Sequence, residues 1–168
     1  MADFLQAFEH MIVNEGGYRL STVAGDRGGM TYAGIARNAW PSWSGWQVID
    51  AGGTPDAQLV RDFYRVNFWN PLGLDEVQSQ DAARTLFDFA VNAGVGTAAK
   101  LAQVVVGVTP DGRIGPKTLA AINMTDPDVF GPRYALAKLA RYRDIVTRDR
   151  SQSKFLLGWI NRTLKEAA

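Results

Sequence analysis

The sequence contains no cysteine and a single histidine, His10. Thiol redox chemistry and disulfide bracing are thereby excluded. The common zinc centres need cysteines or at least two histidines, so one copy of this chain cannot assemble them. Cys–His machinery is ruled out, and a Ser–His–Asp arrangement would have only His10 to use. No apolar run approaches the roughly 18–20 residues that cross a bilayer, and the longest tempting stretch is Val104, Val105 and Val106 with Val108. The opening residues MADFLQAFEHMIVNEGGY lack a Lys/Arg-rich start and carry Asp3 and Glu9 among apolar residues, unlike a secretory signal. The expectation is a chain without metal, cofactor or stable membrane insertion, made in the host cytoplasm without a signal peptide. Its chemistry has to come from carboxylates, hydroxyls, amides and Lys/Arg.

The 168 residues are 46% hydrophobic and 11% aromatic, enough to bury about 70% of the surface of the unfolded chain. A mean hydropathy of −0.13 agrees with a folded, water-facing protein. The near-zero net charge of +1 hides an asymmetry. Residues 1–89 hold 11 acidic against 6 basic side chains, and residues 90–168 hold 6 against 12. Arg133, Lys138, Arg141, Arg143, Arg148, Arg150 and Lys154 are opposed only by Asp144 and Asp149. A basic half of this kind is either a solvated helix face or a surface for a polyanion such as a bacterial wall polymer. No nucleic-acid motif accompanies it, so nucleic acid is not an expected partner.

Apolar residues Phe4, Leu5, Phe8, Met11 and Ile12 recur at helical spacing, which predicts an amphipathic helix over 3–14 that stops at Gly16 and Gly17. The glycine-rich 19–35 segment reads as a small antiparallel ribbon. Trp40, Trp43 and Trp46 fall in an aromatic loop or short helical turn. Further helices are expected from Thr54-Pro55, over 80–93 with Gly94 or Gly96 as stop, from Thr97 to about 105, from Pro116, over about 127–149 with Pro132 as a kink or restart, and over 152–165. The fold class is therefore mainly α with one small β-ribbon near the N-terminus. A division into 1–90 and a helical 91–168 packed as part of one globule, and a monomeric state, complete the expected architecture.

Glu15 follows the first helix, at the negative end of its dipole and beside an apolar stripe; both effects raise a carboxyl pKa toward what a general acid needs. Asp26 and Thr31 lie in the ribbon, where a fold-back over the helix end would set them opposite Glu15. Two carboxylates flanking a cleft are the equipment of a glycosidase, although Asp-x-Gly-Gly is also ordinary turn chemistry. Tyr18, Tyr32, Trp43 and Trp46 are candidates for stacking on sugar rings, or core residues. His10 reads as structural.

Glu15-Gly16-Gly17-Tyr18 and then Asp26-Arg27-Gly28-Gly29-Met30-Thr31-Tyr32-Ala33-Gly34-Ile35 resemble the signature of the glycoside hydrolase family 108 N-acetylmuramidases. These include phage endolysins and lysozyme-like bacterial proteins associated with secretion. The likeness continues through Asp88-Phe89-Ala90-Val91-Asn92-Ala93-Gly94. It resumes over 107–118, which resembles the peptidoglycan-binding segment that accompanies the family, and ends at Trp159-Ile160-Asn161-Arg162. The resemblance implies a lysozyme-like helical fold and hydrolysis of the β-1,4 bond between N-acetylmuramic acid and N-acetylglucosamine. It implies peptidoglycan glycan strands as partner, and a holin or secretion pore through which the enzyme reaches the periplasm or wall.

Carried over position by position, Glu15 matches the family's catalytic glutamate, and Asp26 and Thr31 match its ribbon positions. Asp26 either activates water or orients the ribbon, and Thr31 either holds that water or serves as a β-former. Inversion is the expected stereochemistry. Tyr18, Tyr32, Trp46 and Asn92 are the candidate substrate contacts, Asn92 through an acetamido group, while Asp88 reads as satisfying buried backbone. A lytic transglycosylase and a non-catalytic wall-binding module are the rival readings.

Overall fold

The computed structural model describes residues 1–14, 16–22 and 29–167, with the side chains of Asn14 and Ala167 left aside. The described residues form eight α-helices and one three-stranded antiparallel sheet, a mainly α, lysozyme-like architecture. The chain divides into two compact units, Asp3–Asn70 and Pro71–Ala168 together with Met1–Ala2. The expected boundary at 90/91 falls inside a continuous helix, Gln80–Ala93.

In the first unit, α1 (Phe4–Asn14) buries Phe4, Ala7, Phe8, Met11 and Ile12. Their spacing of three and four residues makes one stripe at 100° per residue. Leu5 falls off that stripe and is 51% exposed, contrary to expectation. The ribbon is three short strands, β1 (Leu20–Thr22), β2 (Met30–Tyr32) and β3 (Ile35–Ala36). Register pairs Thr31 of the central strand with Ser21 on one side and Ala36 on the other.

The β2–β3 turn is Ala33-Gly34, with φ of 49° and 78°. Two positive φ values match the strand twist of a tight hairpin, but the first is uncomfortable for alanine. Ala33 is held there by tertiary bonds. The Tyr64 hydroxyl donates to its carbonyl at 2.8 Å, and its own N–H donates to the Arg19 carbonyl at 3.3 Å.

Tyr64 ends α3 (Ala57–Tyr64), which Asp56 caps by accepting from the Gln58 N–H at 2.8 Å. The start thus lies just past Thr54-Pro55, because a carboxylate one residue further on reaches the orphan N–H. A wider π-helical turn, Arg65–Trp69, follows and turns Phe68 and Trp69 inward. The core is aromatic throughout, with Phe8 5.8 Å from Tyr64, Trp40 4.9 Å from Phe63 and Trp43 5.2 Å from Trp46, ring centroid to ring centroid. Gly45 opens α2 (Gly45–Asp50) because the Trp43 ring lies where a Cβ would stand, only 2.2 Å away.

The second unit holds α4 (Gln80–Ala93), α5 (Val95–Val105), α6 (Pro116–Met124), α7 (Pro127–Arg148) and α8 (Ser153–Ala167). α5 begins at once after Gly94, not at Thr97. The glycine's φ of 86° reverses the chain in one residue, and its carbonyl already accepts from Ala98 at 3.1 Å. α7 runs unbroken through Pro132, one turn in, where proline forfeits a single hydrogen bond on an exposed face.

The turn at Asp111-Gly112 is pinned from beneath by Gln103, which is 1% exposed. The Gln103 amide donates to Asp111 Oδ1 at 2.7 Å and to the Arg113 carbonyl at 2.9 Å, with the Thr118 hydroxyl at 3.3 Å. Its oxygen accepts from the Gly112 N–H at 2.9 Å. Gly112 has φ of 84°, and a Cβ there would meet the Gly96 carbonyl oxygen at 3.2 Å. Gln103→Leu keeps the volume but strands these donors and acceptors. It is expected to cost about 2–4 kcal/mol in urea denaturation, with an unchanged far-ultraviolet spectrum in the folded baseline.

Candidate functional site

Glu15 and Asp26 both lie outside the described residues, and the described chain approaches each from its flanks. α1 ends at Asn14, and the Gly17 and Gly16 N–H groups then close the helix by donating to the carbonyls of Ile12 at 2.9 Å and Val13 at 3.2 Å. Gly16 and Gly17 have φ of 88° and 72°. The chain then turns directly into β1. Thr31, the third catalytic candidate, is half-buried in β2 between Ser21 and Ala36, both short side chains.

Among the proposed sugar contacts of this unit, Tyr18 is 43% exposed and free to present its ring. Tyr32 and Trp46 are only 4% and 2% exposed, which corrects their assignment as stacking surfaces. The Tyr32 ring stacks on Trp43 at 6.1 Å, and its hydroxyl donates to the Pro55 carbonyl at 3.4 Å. Burial, and then the neighbouring Tyr18, push its pKa up. The Trp46 indole donates to the Trp40 carbonyl at 2.9 Å, and the Arg37 guanidinium lies over its ring at 5.4 Å. Arg37 in turn clamps Asp50 through two bonds of 2.8 and 2.7 Å, which hold that carboxyl below its usual range. Both rings thus support the platform behind the ribbon. Alternation along the sequence could not separate core aromatics from sugar-facing ones.

In the second unit the buried charges gather between α4, α7 and α8. Lys138, counted by sequence among solvated cations, is 1% exposed. Its ammonium pairs with Glu166 and sits 5.0 Å over the Phe89 ring and 5.3 Å over Tyr134. Arg143 is likewise taken up locally, by Asp144 at 2.7 Å. Asp88 on α4 is 4% exposed, and its carboxyl is pushed up to about 7. Burial is the main cause and the Glu166 charge adds to it, while Arg84, Lys138 and Arg162 oppose it. A carboxyl poised at neutrality is more than the backbone-satisfying role read from the sequence.

Asn92, the remaining substrate candidate, donates to the Asp88 carbonyl at 2.7 Å and stands on the rim of a cleft of about 420 Å³. Phe89, Ala93, Arg141, Tyr142, Ile145, Gly158, Trp159 and Arg162 complete that lining. Sequence reading missed Arg141, Tyr142 and Arg162 as cleft residues, because the cleft joins α7 and α8 to α4, which lies some thirty residues before α7 in the chain. Among the described residues no cluster of three or more metal-ligating side chains occurs, and no helix is long and apolar enough to cross a membrane.

The family profiles divide the chain between residues 94 and 97, later than the 70/71 boundary of the compact units. The profile of a family described as Glycosyl hydrolase 108 matches residues 8–94, and that of a Predicted Peptidoglycan domain matches residues 97–164. The solved structure of Brucella abortus SagA is similar over 98% of this chain and 91% of its own, at 32% sequence identity and a TM-score of 0.79. No curated protein matches the sequence.

Asp88 makes stability pH-dependent in a definite direction. Its folded pKa lies above its unfolded one, so between about pH 4 and 7 the folded state holds the extra proton and stability falls as pH rises. Asp88→Asn removes that dependence. The mutant's melting temperature should therefore gain on the wild type between pH 5 and pH 8, by an amount worth on the order of a few kcal/mol. Scanning calorimetry at the two pH values checks it, and a constant difference would remove Asp88 from this role.

Proposed function

We propose that this chain, which belongs to the glycosyl hydrolase 108 family, is an N-acetylmuramidase that cuts the β-1,4 bond between N-acetylmuramic acid and N-acetylglucosamine. The coarser statement, a peptidoglycan hydrolase, rests on the family profile followed at once by the peptidoglycan domain. The finer one is supported by a single observation. Glu15-Gly16-Gly17-Tyr18 and the Asp26–Thr31 block stand in family order in the sequence, the first next after a helix described to Asn14 and the second overlapping β2 at Met30 and Thr31.

In this reading Glu15 donates its proton to the glycosidic oxygen as the C–O bond breaks, and the sugar takes on oxocarbenium character. A water then attacks C1 from the opposite face, gives its proton to Asp26 and is steadied by the Thr31 hydroxyl. Carboxyls about 6.5–9.5 Å apart suit this inverting route. In this reading the family-matched residues 8–94 are the catalytic region and residues 97–164 the wall-binding-like part. The protein acts as a monomer in the periplasm or wall, after release through a holin or secretion pore.

Muropeptide mass spectrometry of digested sacculi, with Glu15→Gln beside the wild type, tests the reading. The amide is nearly isosteric but delivers no proton, so activity should fall about 10²–10⁴-fold with an unchanged melting curve. Asp26→Asn should fall nearly as far and Thr31→Ala less. Products lighter than hydrolysis products by one water would instead identify a lytic transglycosylase. A folded Glu15→Gln with near wild-type turnover would overturn Glu15 as the acid.

A further inference from the structure

The cleft between α4, α7 and α8 has a chemistry of its own. Arg141 and Arg162 line it, and no acidic residue does. Among the described residues, neither guanidinium forms an ion pair. Burial is the main influence on the Tyr142 hydroxyl and raises its pKa; Thr163 opposes it by a hydrogen bond, and of the charges that reach the hydroxyl Glu166 raises the pKa while Arg162 and Arg141 lower it. The wall beside them is aromatic. Trp159 stacks on Tyr142 at 5.1 Å and on Phe155 at 6.0 Å, so these rings spend their faces largely on one another. The floor is open at Gly158, where a Cβ would meet nothing within 4 Å, and Asn92 supplies an amide at the rim.

Two guanidiniums that form no ion pair among the described residues, lining one cleft with an aromatic wall, select a carboxylate joined to short apolar groups. A neutral sugar needs an open ring face and gains nothing from two cations. Peptidoglycan carries such carboxylates on its stem peptides, beside alanine methyl groups, and a cleft of about 420 Å³ suits a few residues of peptide. We propose that this cleft is a stem-peptide site, in which Arg141 and Arg162 hold peptide carboxylates and the Tyr142–Trp159 wall packs the alanine methyls. The enzyme would thus grip the wall by its peptides with one unit while the other engages glycan. The inference takes the ligand's identity from the peptidoglycan reading. Its test involves no bond cleavage, so its failure is separate from a failure of the muramidase assignment.

The test is a heteronuclear NMR titration of the full chain with the synthetic tripeptide L-alanyl-γ-D-glutamyl-L-lysine. The Trp159 indole N–H peak, assigned through Trp159→Phe, is the reporter. The wild type should show a saturable shift of that peak, and the tripeptide with both carboxylates amidated should bind about tenfold more weakly or worse. Arg141→Gln and Arg162→Gln should each weaken the acid by about tenfold. Lys117→Gln removes an exposed cation on α6 that does not line the cleft but makes the same change in charge, and should leave the affinity within about twofold. Gly158→Leu fills open space on a helix that tolerates leucine, so it should fold normally and abolish the shift. A wild-type chain whose Trp159 peak does not move overturns the proposal. So does equal affinity for the acid and its amide, or binding that survives a folded Gly158→Leu. Saturable binding of peptide-free glycan at the same peak, with none of the tripeptide, would reassign the cleft to sugar and overturn it as well.

Discussion

The second unit is organised around one buried cation. An ammonium 1% exposed cannot stay in the interior without an opposite charge, because its desolvation costs several kcal/mol. Lys138 meets that demand with Glu166, near the far end of α8, and with the π-faces of Phe89 and Tyr134. Docking α8 with Glu166 opposite Lys138 fixes its rotation and its register against α7. That register carries Trp159, seven residues before Glu166 on α8, onto Tyr142 of α7, and places Arg162 among the same group of charges. Burial is what chiefly raises the carboxyl of Asp88, and Glu166, held beside Lys138, adds to that rise while Lys138 itself opposes it. A pair of this kind adds little net stability over a well-packed apolar pair, but it sets where the last helix lies.

The first unit depends on a different constraint. Three short strands form too small a sheet to stand alone, so the ribbon borrows its order from a helix. Tyr64 reaches the strained Ala33 carbonyl, and Tyr32 and Ile35 turn one face of the ribbon into an aromatic core. The other face keeps Thr31 between short neighbours. Trp40, Trp43, Phe63 and Phe68 pack mostly edge to face, the arrangement that ring quadrupoles favour. A rigid support of this size allows a short ribbon to hold polar side chains at a fixed position, which catalysis by positioned groups demands.

Much of this was legible in advance. The spacing of apolar residues gave α1, α4 and α7 nearly to the residue, because each has one buried stripe and a glycine or proline boundary that acts locally. Tight turns at Gly16-Gly17 and Asp111-Gly112 were legible for the same reason. Cap positions were missed by two and three residues, at Asp56 and Gly94, where a neighbouring residue serves the same helix start. The catalytic candidates Glu15, Asp26 and Thr31 came from motif order, and the ribbon that carries Thr31 was expected from its glycines.

Local chemistry, set by the chain itself, therefore determined the helices, the ribbon, the family and the absence of thiol or zinc machinery. Tertiary structure decided which equivalent-looking side chains do what. Trp46 and Tyr18 are both aromatic in sequence, yet one is 2% and the other 43% exposed. Lys138 and Arg141 stand three residues apart in one basic run, yet one is neutralised in the core and the other lines a cleft. The reason is physical. Periodicity says that a residue faces inward or outward from its own helix, but the neighbour it faces is supplied by chain far away in sequence. Burial, ion pairing and a shifted pKa all belong to that neighbour as much as to the residue.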